Sequence, residues 1–378
     1  MLKYRRYDLI NKNSKKELLY KFKNFPVFMG CSTEKSEKDL FSNLNVWIGK
    51  KTGFIQINPY VDLKVVYKKA HGSGTVGNLW NNHHIEFAEF ISQYSPNKVL
   101  EIGGSHGILA KNFIKKQKVE WSIIEPNPFR KQKKIKYIKK FFDAKFVSKN
   151  KNKYDSIVHS HVFEHVPNPN TFIKLINRIL EENGKMFFSI PNLNLWLKNK
   201  NLSTINFEHT FFLSTPYVDY VLKKNNFKII KKKYFNKDHS IFYSCIKKNN
   251  IKKIKLDGKK YYKQNKLNFY KFINYYKKTI HYYNKKILNE NSEIFIFGAH
   301  VFTQFLLNFG LNKEKIICIL DNDTSKQNKR LYGTNISVKS PKILTEFSKP
   351  IVILKAGVYS QEIKENIINH INKKTIFI

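Results

Sequence analysis

Cysteine is almost missing from this chain of 378 residues. Cys31, Cys245 and Cys318 lie too far apart for a local metal knuckle and are too few for a disulfide framework. Their scarcity fits a reducing cytoplasm. Arginine is also scarce, with five residues (Arg5, Arg6, Arg130, Arg178 and Arg330) against 64 lysines. Acidic residues number 28 against 69 basic ones, for a formal charge of +41. No apolar run approaches the roughly 18 residues that a membrane span needs. The basic start, Met1 to Asp8, is followed by no apolar signal-peptide core, so neither a span nor a secretory leader is expected.

What remains is a globular composition, 42% hydrophobic and 15% aromatic, with chain enough for two or three domains. Lysine runs through every segment together with Asn, Ile, Phe and Tyr, all encoded by A/T-rich codons. A surface built for nucleic acid concentrates Arg with Lys on one face. Drift of composition therefore accounts for the charge better than specific nucleic-acid recognition, although nonspecific attraction to polyanions follows from it.

Along the chain, residues 1–84 mix polar turns with strand-like runs at 54–57 and 63–67, and read as an accessory region leading into a helix over 81–93. Residues 85–246 then alternate strands (98–102, 120–124, 156–159, 185–190) with helices (108–116, 170–180), the second stopped by Asn183-Gly184. Such alternation predicts an α/β fold with a central, doubly wound, mostly parallel sheet. Residues 247–290, dense in Lys, Tyr and Asn, read as a basic helical connector. From residue 291 a smaller Rossmann-like unit begins, with strands at 294–297, 315–320, 350–354 and 375–378 and a helix over 301–308.

The first strand ends in Glu101-Ile-Gly-Gly-Ser-His-Gly107, where Gly103 and Gly107 let backbone approach a ligand. Glu125 ends the next strand 24 residues after Glu101, placed to accept ribose hydroxyls. Both features serve nicotinamide and S-adenosylmethionine sites alike. Further on, Tyr154-Asp-Ser-Ile-Val-His-Ser-His-Val-Phe-Glu-His-Val-Pro-Asn-Pro169 and Leu180 to Asn192 closely resemble the fourth and fifth strand segments of class I S-adenosylmethionine-dependent methyltransferases. The resemblance implies S-adenosylmethionine as cofactor, with Ser160, His161 and Val162 lining the crevice and Asp143 contacting adenine. Ser105 departs from it, standing where a glycine is frequent. Glu164-His165 reads as a structural helix start.

A narrower resemblance follows. Asn206-Phe-Glu-His-Thr-Phe-Phe-Leu-Ser214 is similar to the Glu-His segment of three-part sugar C-methyltransferases, whose members join an N-terminal zinc module, a methyltransferase domain and a Rossmann-like C-terminal domain. It implies His209 as general base with Glu208 assisting, and a nucleotide-linked sugar, destined for a surface polysaccharide or related glycan, as the small-molecule acceptor. The chemistry agrees, because a nucleophilic carbon is made most easily by removing a proton beside a ketone, and imidazole titrates near neutral pH. O-methylation of a hydroxyl could use the same base, so the acceptor atom stays open. So do N-methylation of another metabolite and, on charge alone, an RNA acceptor. Tyr67-Lys-Lys-Ala-His-Gly-Ser-Gly-Thr75 and Trp80-Asn-Asn-His-His84 resemble the family's lid and the helix after it, which would turn Tyr67 and His71 to the acceptor. Residues Gly298-Ala-His300, Asp321-Asn-Asp323 and Leu331-Tyr-Gly-Thr334 resemble the family's C-terminal domain. A tetrahedral zinc site needs four ligands, whereas the N-terminal region has Cys31 alone, so no metal is expected there.

Overall fold

The computed structural model describes residues 2–67, 77–128, 132–204, 206–237 and 239–378. His71, Gly72 and Gly74 lie outside them. Two compact units divide the chain: residues 1–17, 48–196 and 208–265 form the first, and residues 18–47, 197–207 and 266–378 the second.

Among the described residues, seven strands of the first unit form one sheet: β1 (Lys98–Ile102), β2 (Glu120–Ile124), β3 (Lys136–Ile138), β4 (Tyr154–Ser160), β5 (Leu180–Pro191), β6 (Phe227–Phe235) and β7 (Ser240–Lys247). Their order across the sheet is β6-β7-β5-β4-β1-β2-β3. β1 to β5 run parallel, while β7 is antiparallel to both β5 and β6. Val99 to Ile102 and Trp121 to Ile124 are continuous buried runs, as strands covered on both faces must be. The cover comes from crossover helices. Phe87, Phe90 and Ile91 of α1 (Asn78–Ser92) and Leu109, Ala110 and Phe113 of α2 (Ile108–Ile114) pack with Val99, Trp121, Ile123, Val158, Phe187 and Phe242 in one apolar cluster. Each fully buried Phe is worth about 1.5–3 kcal/mol relative to exposure.

The chain lays down β1, β2 and β3 outward on one side, then returns to place β4 and β5 on the other. This reversal between β1 and β4 is a topological switch point, where crossover loops leave in opposite directions and a crevice opens at the strands' carboxyl ends. Glu101–Gly107 and Ser160–Val162 are the two segments that leave there.

Two local expectations need correction. Residues 63–67 are no strand: Asp62 caps a single helical turn, Leu63–Val66, by accepting from the Lys64 amide, and that satisfied donor outweighs the apolar pattern. A short helix, α3 (Ala144–Ser148), follows β3, and Asn183-Gly184 does not stop the next one, α4 (Pro169–Ile179). Leu180 is already extended and pairs with Tyr154, so strand pairing ends the helix earlier, and Asn183 takes its left-handed conformation (φ +60°) inside β5. At its other end α4 begins as the sequence suggests, with the Asn168 side chain accepting from the Thr171 amide and Pro169 in the first turn.

The second unit holds a parallel sheet of β8 (Ile294–Phe297), β9 (Ile316–Leu320), β10 (Val338–Lys339), β11 (Ile351–Leu354) and β12 (Ile376–Phe377), in the order β10-β9-β8-β11-β12. A 31-residue helix, Gly258–Leu288, precedes it. Phe269, Phe272, Ile273, Tyr276, Ile280, Tyr283 and Ile287 recur at helical spacing and are buried, whereas Lys271, Lys277 and Lys278 are exposed. Phe22 and Phe25, from the strand Lys16–Pro26, pack edge-on or tilted against Phe305. Arg330 makes a bidentate pair with Asp39. No described helix is long and apolar enough to cross a membrane.

Candidate active site

The turn after β1 requires its glycines. Gly103 (φ +73°) donates its amide to the Ile124 carbonyl, and a Cβ there would stand 2.6 Å from Val162 Cγ2. Gly107 (φ +67°) begins α2 with the Tyr137 hydroxyl against it. At Gly104 a Cβ would come within 2.7 Å of the Glu101 carboxyl carbon. Ser105 takes φ +39° in the same turn, a conformation glycine adopts at less cost. The glycines thereby let the turn pack directly against Val162, the Glu101 carboxyl and the Tyr137 hydroxyl at the carboxyl end of β1.

Glu101 is buried beneath this turn and accepts a 2.9 Å hydrogen bond from Trp121 Nε1. Burial pushes its carboxyl up to about 7, with the indole bond opposing and Glu125 adding to the rise. Glu125 stands at the end of β2, its amide on the Ile138 carbonyl and its Oε1 accepting from the Asn127 amide at 3.1 Å. Ser160 pairs with Ser189 across β4 and β5. His161 (φ +50°) donates its amide to the Ser189 carbonyl, and Val162 turns back over Gly103. The fold thus brings Glu101, Gly103, Gly107, Ser160, His161 and Val162 to one crevice, with Glu125 at the end of the adjacent strand. Asp143 is exposed, and its Oδ1 accepts from the Phe146 amide at 2.8 Å, capping the helical turn Ala144–Ser148.

A second group of side chains gathers beside the loop that follows β4. Tyr67 Oη and His165 Nδ1 are 2.9 Å apart, and the same nitrogen lies 4.0 Å from Glu208 Oε2. The His165 and His209 rings meet edge-on at 4.8 Å, with Trp196 6.3 Å from His209. Glu164 is buried, and its Oε1 stands 3.9 Å from His165 Nε2. Burial raises the Glu164 carboxyl to about 7, opposed by the nearby His209. The Tyr67 hydroxyl is pushed well up by burial and then by Glu208, Glu164 and Glu125, so it stays protonated at neutral pH. Tyr67, Glu208 and His209, spread over more than 140 residues, converge. His165 and Glu164, which the sequence reading set aside as structural, stand in the same cluster. The separation between Tyr67 and His165 gave no sign of their contact. These groups can take up a proton from an acceptor and hold a hydroxyl or carbonyl in place.

Residues 82–232 match the methyltransferase domain family, and residues 247–378 match the C-methyltransferase C-terminal domain family. Among solved structures, a protein from Pyrococcus horikoshii aligns at 15% identity over 50% of this chain and 100% of its own, with a TM-score of 0.38. An O-methyltransferase family protein from Burkholderia thailandensis aligns at 9% identity over 45% of this chain and 59% of its own, TM-score 0.36. The carbon methyltransferase CurJ aligns at 10% identity over 44% and 54% respectively, TM-score 0.36. No curated protein matches the chain.

Proposed function

We propose that this chain, a class I S-adenosylmethionine-dependent methyltransferase, methylates a carbon atom of a sugar, and that the sugar is nucleotide-linked. The convergence of Tyr67, Glu208 and His209 on one cluster carries this reading. The C-methyltransferase match over residues 247–378 supports carbon over oxygen or nitrogen.

Bound in the crevice, S-adenosylmethionine supplies a methyl made electrophilic by its sulfonium. The glycine turn fits such a group because Gly103 and Gly107 (φ +73° and +67°) hold a tight stretch of backbone without side chains at the carboxyl end of β1, with the Glu101 carboxyl beneath it. Glu125 would accept the ribose hydroxyls, and Asp143 would lie toward the adenine. Glu101 would face the cofactor's ammonium group, which favours its ionised form over the neutral one that burial favours.

On the acceptor side, His209 takes the proton from the carbon beside a ketone, and Glu208 stabilises the resulting imidazolium. Tyr67, kept protonated, donates its hydroxyl to the developing enolate oxygen. The carbon would then take the methyl that the cofactor supplies, with the sulfur as leaving group, and the proton would leave His209 for solvent. A positioned general base contributes about 100- to 10,000-fold, and holding the reacting atoms in contact contributes more.

The test is a panel of keto and non-keto nucleotide sugars incubated with labelled cofactor and read by mass spectrometry. A keto sugar gaining one methyl on carbon is the expected product, whereas label on oxygen or nitrogen alone would overturn the reading. His209→Gln should also abolish exchange of the keto sugar's α-proton in D2O while leaving cofactor binding intact.

A further inference from the structure

Three histidines outside the acceptor cluster meet in the same unit. His83 comes from α1, His161 directly follows β4, and His239 lies in the turn between β6 and β7. We propose that His83, His161 and His239 form a binding site for one divalent transition-metal ion of the imidazole-preferring class, with zinc as the reference ion.

Geometry carries the proposal. One ring nitrogen from each histidine lies within 4.8 Å of the corresponding nitrogens of the other two. A tetrahedral zinc ion holds imidazole nitrogens at about 2.0–2.1 Å, which sets them about 3.3 Å from one another. Two rings already face one point, since Ser240 Oγ lies 2.8 Å from His161 Nε2 and 2.7 Å from His239 Nδ1.

The surroundings have the form of a ligand shell. His83 Nε2 is held at 2.8 Å by Ser189 Oγ, while its buried Nδ1 has no hydrogen-bond partner among the described residues. Behind His161, the buried Glu164 Oε1 stands 3.3 Å from Nδ1 with no hydrogen-bond partner of its own among the described residues, a place from which a carboxylate can orient a ligating ring. Trp80 packs across all three imidazoles, with ring centroids 5.2, 4.9 and 4.8 Å from His83, His161 and His239. Three protein ligands also leave a fourth position for water or an oxygen of a bound molecule. His161 adjoins Ser160 at the carboxyl end of β4, so that position lies next to the crevice.

Long-range electrostatics sharpens the expectation. A chain with a net charge of +41 repels free cations, so stoichiometric binding needs a built site. The proposal does not depend on which acceptor the enzyme uses, and each can fail without the other.

Metal-stripped full-length protein is titrated with Co(II), whose visible d–d bands report tetrahedral nitrogen ligation, and the ion is then competed off with Zn(II). One equivalent with tetrahedral bands is expected. It should be lost in His83→Ala and His239→Ala. Exposed His281→Ala is the neutral control. Absence of a stoichiometric Co(II) spectrum in the unaltered protein overturns the proposal whatever the variants do. So does binding that survives in the His83 and His239 variants but disappears in His209→Ala, which would place the ion at Glu164, His165 and His209 instead. Cofactor affinity and circular dichroism check that the variants are folded, and His239→Gln provides a milder substitution if alanine is not tolerated.

Discussion

A carboxyl buried beside an indole N–H has one favourable bond and a large desolvation cost, and Glu101 records the balance with a pKa of about 7. Because that value lies above the 4.5 of an exposed glutamate, the folded apoprotein keeps a proton at intermediate pH that the unfolded chain releases. The stabilisation is full below about pH 4.5 and is lost as pH rises toward 7, on the order of 3 kcal/mol in all. Glu101→Gln keeps an acceptor for Trp121 and removes the titration. It should therefore flatten the apoprotein's stability between pH 5 and 8 in denaturant unfolding, while weakening S-adenosylmethionine binding. For the unaltered enzyme, calorimetry in buffers of different ionisation enthalpy should detect proton release on cofactor binding near pH 6. Glu125→Ala removes a charged acceptor and should cost cofactor affinity about 1.5–3 kcal/mol, or roughly 10- to 150-fold; unchanged affinity would remove Glu125 from the site. At this scale the sequence revealed Glu101, Gly103, Gly107 and Glu125, because a strand end and a glycine turn are contiguous signals. Gly104 was not legible as a requirement, since its constraint is the Glu101 carboxyl folding back over the turn. Trp121 and His165 act through partners 20 and 98 residues distant, which no local pattern encodes.

Elements were read best where periodicity and a boundary signal agreed. α4 has both, with Asn168-Pro169 at its start and Phe172, Ile173, Ile176 and Ile179 on one buried face. Its end was misplaced because the winning interaction, Leu180 pairing with Tyr154, is tertiary. β6 and β7 escaped notice for a related reason. β6 carries Lys228, Lys231, Lys232 and Lys233, and its strand character comes from pairing with β7 rather than from its own composition. The long helix Gly258–Leu288 shows the opposite case, where a sparse apolar stripe suffices through many lysines. Ile280, buried on that stripe, should cost about 2–5 kcal/mol when changed to alanine. Its exposed neighbour Lys277→Ala should stay within about 0.5 kcal/mol of the unaltered protein. Hydrogen exchange on residues 266–288 is the suitable measurement, because a chain of two compact units need not unfold in one transition.

For the whole molecule, the charge of +41 is the largest single quantity, and the few arginines decide what it means. Base-edge and bidentate phosphate recognition favour arginine, whose planar fork lysine cannot supply. Arg5 is buried, its guanidinium donating to the carbonyls of Ile57, Pro167 and Thr210 and to the Thr210 hydroxyl. Arg330 is committed to Asp39. Two of five arginines therefore serve the fold, and the remaining basic residues are nearly all lysine. Lysines binding phosphates as point charges release counterions, which makes affinity steeply salt-dependent and indifferent to sequence. The chain should accordingly bind single-stranded RNA of any sequence at low salt, and engaging even six phosphates should weaken that binding about 300-fold between 50 and 200 mM salt. The proposed methyl transfer to a nucleotide sugar should change less over the same range, because the groups proposed to carry it are buried (Glu164, Glu208) or half-buried (Tyr67, His165, His209), where salt screens less. Filter binding and labelled-methyl incorporation, run on the same protein across a salt series, separate the two behaviours. RNA that acquires methyl label at one sequence, or binding that keeps its strength at 200 mM salt, would mean that the lysines recognise a polynucleotide acceptor rather than merely attract one.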